Sequence, residues 1–177
     1  MNYLAHCFGP LSELSARVST RVPSIRLADT GDSVPAASPD TLQLHGQLLG
    51  GGVVTAPIGG VPVGGDGWRM EAYGTQGVLV ASTPVMPQIS PIQLFGRRGP
   101  GPLAQLELPE HPRASVAGLP EGPLRNVARA YRRLARAIQS GERFRPDLDD
   151  AVAVQELLDA AWRSSDAGTV VRLVRRG

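Results

Sequence analysis

The hydrophobic period of this chain changes once, and that change limits the folds open to it. Through about the first 115 residues, apolar side chains recur at every second position in short runs broken by Gly, Pro, Ser and Asp. From Glu121 onward they recur at helical spacing. Period two marks half-buried strands, and a stripe at i, i+3, i+4, i+7 marks amphipathic helices.

The strand half reads as follows. Ser12–Thr20 alternates, with Leu14, Ala16 and Val18 on one face and Glu13, Ser15 and Arg17 on the other. Thr30–Pro39 has the composition of a loop. Asp40–Leu48 alternates again, and Gly50–Gly52 turns the chain into Val53–Ile58, which predicts a hairpin. A second turn-rich stretch covers Gly59–Gly67. Trp68–Tyr73 alternates, Gly74–Gly77 forms a tight turn, and Val78–Ala81 returns. Ile92–Phe95 and Leu103–Leu108 are two further strands, separated by the Arg-Gly-Pro-rich turn Gly96–Pro102.

The helical half opens at Pro123, a residue suited to a first helical turn because its missing N–H has no partner there anyway. Val127, Tyr131, Leu134 and Ile138 form its stripe, arginines occupy most of the remaining surface, and Gly141 closes it. A second helix opens near Asp147, with Asp149 and Asp150 at the positive end of its dipole. Its expected stripe is Leu148, Ala151, Val152, Leu158 and Ala161. Gly168 ends it, and Thr169–Val174 is a closing strand. The expected fold is α+β: a largely antiparallel or mixed open sheet of about six to eight strands, with two long helices on one face. No internal repeat and no long linker appear, so residues 1–177 read as a single domain.

Composition removes several function classes. The single cysteine, Cys7, allows no intrachain disulfide and no metal-ligand spacing, which fits a reducing, cytoplasmic setting. No apolar run approaches the ~18 residues of a membrane span, and no basic region followed by an apolar run opens the sequence, so no signal peptide is expected. All 18 basic residues are arginine, acidic residues are interleaved with them, and the net charge is only +2, so nucleic-acid binding is not indicated.

Candidate chemistry is sparse. His6, His45 and His111 lie far apart and none has a ligand-type neighbour at metal spacing. His45 reads as a sheet-face residue and His111 as a loop residue. Gly50–Gly52, Gly59–Gly60 and Gly64–Gly65 connect strand to strand, not strand to helix, so they read as hairpin turns and not as a phosphate cradle. Trp68 and Trp162 read as packing residues, Cys7 as a small apolar one, and the arginine face of the first long helix as solvated. No catalytic, cofactor-binding or metal-ligating residue is assigned.

Five collinear segments carry a resemblance. Phe8–Ala16 leads into a strand as "lGe…vsA"; Pro39-Asp40, Gly46 and Gly50–Val53 form a "pD…g.l.sGa" hairpin; Trp68–Gly77 matches "w.i.i.Gt.G"; Asn126–Tyr131 starts a long helix; and Phe144–Asp147, Asp150-Ala151, Leu158, Ala161, Ser164 and Gly168 match "pdf.dA…l.dAa..S…G". In this order the chain resembles the C-terminal domain of the Gfo/Idh/MocA family of oxidoreductases. The resemblance implies a parent protein with an N-terminal Rossmann domain binding NAD or NADP, an E-K-P lysine, and a histidine acting on a sugar or polyol hydroxyl. It also implies a sheet face covered by a second subunit.

This sequence holds no lysine, and it starts at or just after the place of the catalytic histidine. Asn2 stands where the family has an acidic residue, and His6 aligns with a packing position, so catalysis is carried onto neither. The family's first strand of this sheet is expected to be missing. The expectation is therefore a substrate-side and oligomerisation domain, binding no cofactor alone and not catalytic alone. It assembles through its open sheet face, or pairs with a separate Rossmann-bearing subunit. The alternative is a stand-alone binding module, such as a sugar sensor.

Overall fold

A computed structural model describes residues 2–60, 65–107, 118–119 and 122–173. In chain order its elements are α1 (Asn2–Phe8), β1 (Leu11–Ser19), β2 (Ser24–Arg26), β3 (Ser33–Pro35), β4 (Thr41–Leu48), β5 (Val53–Gly59), β6 (Trp68–Gly74), β7 (Gly77–Thr83), β8 (Gln93–Arg98), β9 (Ala104–Leu106), α2 (Pro123–Ser140), α3 (Leu148–Ala167) and β10 (Val171–Arg172). The class is α+β, and every ladder among the described residues is antiparallel. The strands group into a sheet of order β10-β1-β4-β5, a two-stranded ribbon β2-β3, and a sheet of order β6-β7-β8-β9. Two compact units contain them: Met1–Val63 with Arg145–Gly177, and Gly64–Phe144.

The first unit is built on β1 and β4. Register pairs Leu14 with Gly46, Ala16 with Leu44 and Val18 with Leu42, so these residues share the inward face. Leu11 joins them although it lies three positions before Leu14, because a register shift between Leu11 and Glu13 adds a residue to β1. Gly46 makes this possible: a Cβ there would stand 2.9 Å from Leu11 Cδ2. Leu11, Leu14 and Leu44 form the core with Ala160 and Ala161 of α3, and Leu157 packs against it. The opposite face of this sheet carries Glu13, Ser15, Arg17, Gln43, His45 and Thr55, by the alternation of the same register.

Both ends of α3 are set locally. The Asp147 carboxylate accepts the Asp150 N–H at 3.1 Å, and the Asp150 carboxylate accepts the Asp147 N–H at 2.9 Å. This is a capping box with aspartate at both positions. Gly168 takes the left-handed conformation at φ 65, and its N–H reaches Ser164 O at 2.9 Å. Of the expected stripe, Ala161 is buried and Leu158 half-buried, and the rest differs. Ala160, Ala161 and Ser164 are buried, while Leu148 is 83% and Val152 41% exposed. The chain turns at Gly168 straight into β10, which pairs with β1, so the last turns of α3 are the ones held over the sheet.

Two local elements depart from the sequence reading. Residues 2–8 form a helix where no element is expected, and the Thr30–Pro39 loop contains β3, which pairs with β2 as Ile25 with Val34. The ribbon is closed by the Leu27 N–H to Asp32 O bond at 2.8 Å, with Gly31 at φ 78. The Gly50–Gly52 hairpin is as read, closed by Leu48 N–H to Gly52 O at 2.7 Å.

In the second unit the Gly74–Gly77 turn joins β6 to β7 as expected, and β8 and β9 continue the meander. Among the described residues Val80, Ala81, Thr83 and Gly96 are buried in this unit. Helix α2 begins with Pro123 and ends at Gly141, φ 73, as read. None of its residues is buried. The Asn126 side chain donates to Gln88 O at 2.9 Å, tying it to the β7–β8 connection. The Val127, Tyr131, Leu134 and Ile138 stripe is exposed among the described residues. No helix of the described residues is long and apolar enough to cross a membrane. The Gly64–Gly65 pair, His111 and the last residues of the expected strands, Leu108 and Val174, fall wholly or partly outside the described residues.

Candidate functional site

A concave surface lies on one face of the β6-β7-β8-β9 sheet. Antiparallel register sets Ala72, Leu79, Gly96 and Ala104 in one row across the four strands. Met70, Ala81, Leu94 and Leu106 form the row beside it. A groove of about 780 Å³ runs along this face, floored by Ala72, Leu79, Gly96 and Leu106, with Gln76 and Arg98 at its open end. Leu79 is 50% and Leu106 37% exposed.

Two glycines shape the groove. A Cβ at Gly96 would stand 2.7 Å from Leu106 Cδ1 and 2.9 Å from Leu79 Cδ2, so only glycine lets the two leucines close over β8. A Cβ at Gly77 would stand 2.1 Å from the backbone oxygen of Arg97, so the turn lies against β8. The Gly99 N–H to Gln76 O bond at 3.1 Å ties the β6–β7 turn to the end of β8. The result is a shallow apolar face with a polar end, suited to burying a flat apolar surface and offering no convergent acid–base set.

The sheet's other face holds a charged cluster on β6. Glu71 accepts from Arg69 Nε and from the Tyr73 hydroxyl. The Tyr73 hydrogen bond, then that of Arg69, holds the Glu71 carboxyl below the usual range. The same bond to Glu71 and its charge push the Tyr73 phenol up.

A smaller cavity of about 280 Å³ lies in the first unit, lined by Val18, Asp40, Leu42, Ile58, Leu158 and Trp162. Its one carboxylate is already committed. Asp40 accepts the Val22 N–H at 2.8 Å, the Arg21 N–H at 2.9 Å and the Thr41 hydroxyl at 2.7 Å. Those bonds, led by Val22 and then Thr41, lower its pKa. The Pro39-Asp40 motif is thus a clamp that fixes the chain leaving β1.

The residues weighed from sequence are dispersed. His6 and Cys7 lie exposed on α1. His45 is exposed on the polar sheet face, with Nδ1 3.3 Å from Thr55 Oγ1. Trp68 is half-buried, and Trp162, read as packed, is 45% exposed at the rim of the smaller cavity. The described residues hold no group of three or more His, Cys, Asp or Glu placed to hold a metal. Arginines of α2 read as solvated are engaged within the unit: Arg125 donates to Leu119 O at 2.9 Å, and Arg133 stands 5.8 Å from the Phe144 ring centroid. The groove itself was not read from sequence. Its strands were legible, but the register that aligns Leu79, Gly96 and Leu106 arises from pairing between separate segments.

No protein-family model and no curated protein matches the chain. Solved structures do. Levoglucosan dehydrogenase, in its apo form, matches at TM-score 0.76 and 20% identity, over 99% of this chain and 49% of its own. The super-repressor mutant of Gal80p from Saccharomyces cerevisiae matches at 0.69 and 21%, over 92% and 44%. An oxidoreductase from Agrobacterium radiobacter, solved with NAD+, L-tartaric acid and magnesium, matches at 0.68 and 17%, over 96% and 45%. At these identities what is shared is the fold. It is the fold of Gfo/Idh/MocA-type proteins, as the sequence motifs resemble. The chain spans less than half the length of each of these solved chains.

Proposed function

We propose that this chain is the substrate-side and assembly half of an NAD(P)-dependent, sugar- or polyol-type oxidoreductase, not catalytic by itself. The observation that carries the reading is the one-sided match: 99% of this chain falls on 49% of levoglucosan dehydrogenase. Three structural neighbours support the chemistry. Levoglucosan dehydrogenase is solved with NADH and L-sorbose, an aldose-aldose oxidoreductase from Caulobacter crescentus with glycerol, and the Agrobacterium enzyme with NAD+ and L-tartaric acid. All three organic partners carry hydroxyl-bearing carbons, the groups a nicotinamide oxidises by taking hydride while a base takes the hydroxyl proton. In this reading the nicotinamide sits on a nucleotide-binding half, in the same polypeptide or in a separate subunit, and this chain supplies one wall of the substrate cleft.

The groove face over Ala72, Leu79, Gly96 and Leu106 is the assembly surface in this reading, covered by a second copy. An exposed apolar sheet face of this kind is an association surface on physical grounds.

Titration of the 177-residue protein with NADH and with NADPH, followed by nucleotide fluorescence, tests the first part. No saturable binding up to millimolar nucleotide is expected. Saturable micromolar binding overturns the reading.

A second reading is a non-catalytic sugar-responsive module, favoured by the match to the transcriptional regulator Gal80p of a Kluyveromyces species at TM-score 0.68 and 22% identity. Calorimetric binding of L-sorbose or a related sugar without nucleotide favours it over the first.

A further inference from the structure

We draw no further inference here: the strongest candidate, the cavity of about 280 Å³ in the first unit, walled by Leu42, Ile58, Leu158 and the half-exposed Trp162, carries nothing, because its one carboxylate, Asp40, is already committed to the Arg21 and Val22 N–H groups and the Thr41 hydroxyl, and nothing in the structure shows what the apolar remainder would take.

Discussion

The hydroxyl of Ser164, buried in the last turn but one of α3, accepts the backbone N–H of Ala16 at 2.9 Å and donates to Thr169 O at 2.6 Å. One residue further, the Ser165 hydroxyl accepts the Val18 N–H at 2.9 Å. Among the described residues β10 pairs with β1 at Glu13 and Leu14, with the Leu173 N–H bonded to Ser12 O at 2.8 Å. Two serine side chains therefore continue its work, satisfying two successive strand donors that β10 is too short to reach. An unpaired sheet edge is otherwise an association hazard.

Ser164→Ala leaves a strand N–H and the Thr169 carbonyl without this partner in a closed environment. The expected loss is about 1–3 kcal/mol, read from urea midpoints. Ser165→Ala, at a half-buried position, costs less.

Asp40 links stability to pH. Its folded pKa lies below the ordinary 3.8, so its contribution is complete above that value and is lost as pH falls through the folded pKa. Asp40→Asn lowers stability at neutral pH and flattens the acid limb below about pH 4. Denaturation midpoints measured from neutral to strongly acid pH compare the two proteins.

Gly77 and Gly96 separate two kinds of crowding. Gly77→Ala sets a methyl against the fixed backbone oxygen of Arg97 at 2.1 Å, whereas Gly96→Ala meets first the ends of two leucine side chains that can rotate, with the backbone oxygen of Val78 farther off at 3.3 Å. Gly77→Ala is expected to cost ~1–3 kcal/mol and Gly96→Ala less. Gly96→Ala instead splays Leu79 and Leu106, and weakens whatever association the groove supports in sedimentation experiments.

The α3 capping box gives a helix-specific test. Asp147→Ala removes the acceptor for the Asp150 N–H. The expected cost is about 1 kcal/mol, with earlier amide exchange in the first turn of α3 and little change near Ser164.

Much of the fold was legible because its signals are local. Alternation placed β1, β4 and β6, the Gly50–Gly52 run and the Gly74–Gly77 tetrad placed the two hairpins, and Pro123, Gly141, Asp147 and Gly168 placed the helix ends. Where the reading departed from the structure, the deciding contacts are distant in sequence. Leu148 and Val152 fit a helical stripe as well as Leu157 and Ala160 do. The C-terminal turns of α3 are the ones held on β1, through the β1–β10 ladder, the Ser164 and Ser165 bonds and the Leu14–Leu44 core. The apolar stripe of α2 is read from period alone, and periodicity reports which residues share a side, not whether that side is covered.

The sequence by itself determined the element types, their caps and turns, and the α+β class, because side-chain period, proline, glycine and aspartate act within a few residues of themselves. The tertiary structure decided which faces are used: that Leu11 enters the core through a register shift, and that Leu79, Gly96 and Leu106 floor a groove. Those outcomes depend on strand register and on cover supplied by segments far away in the chain, and no local pattern encodes either.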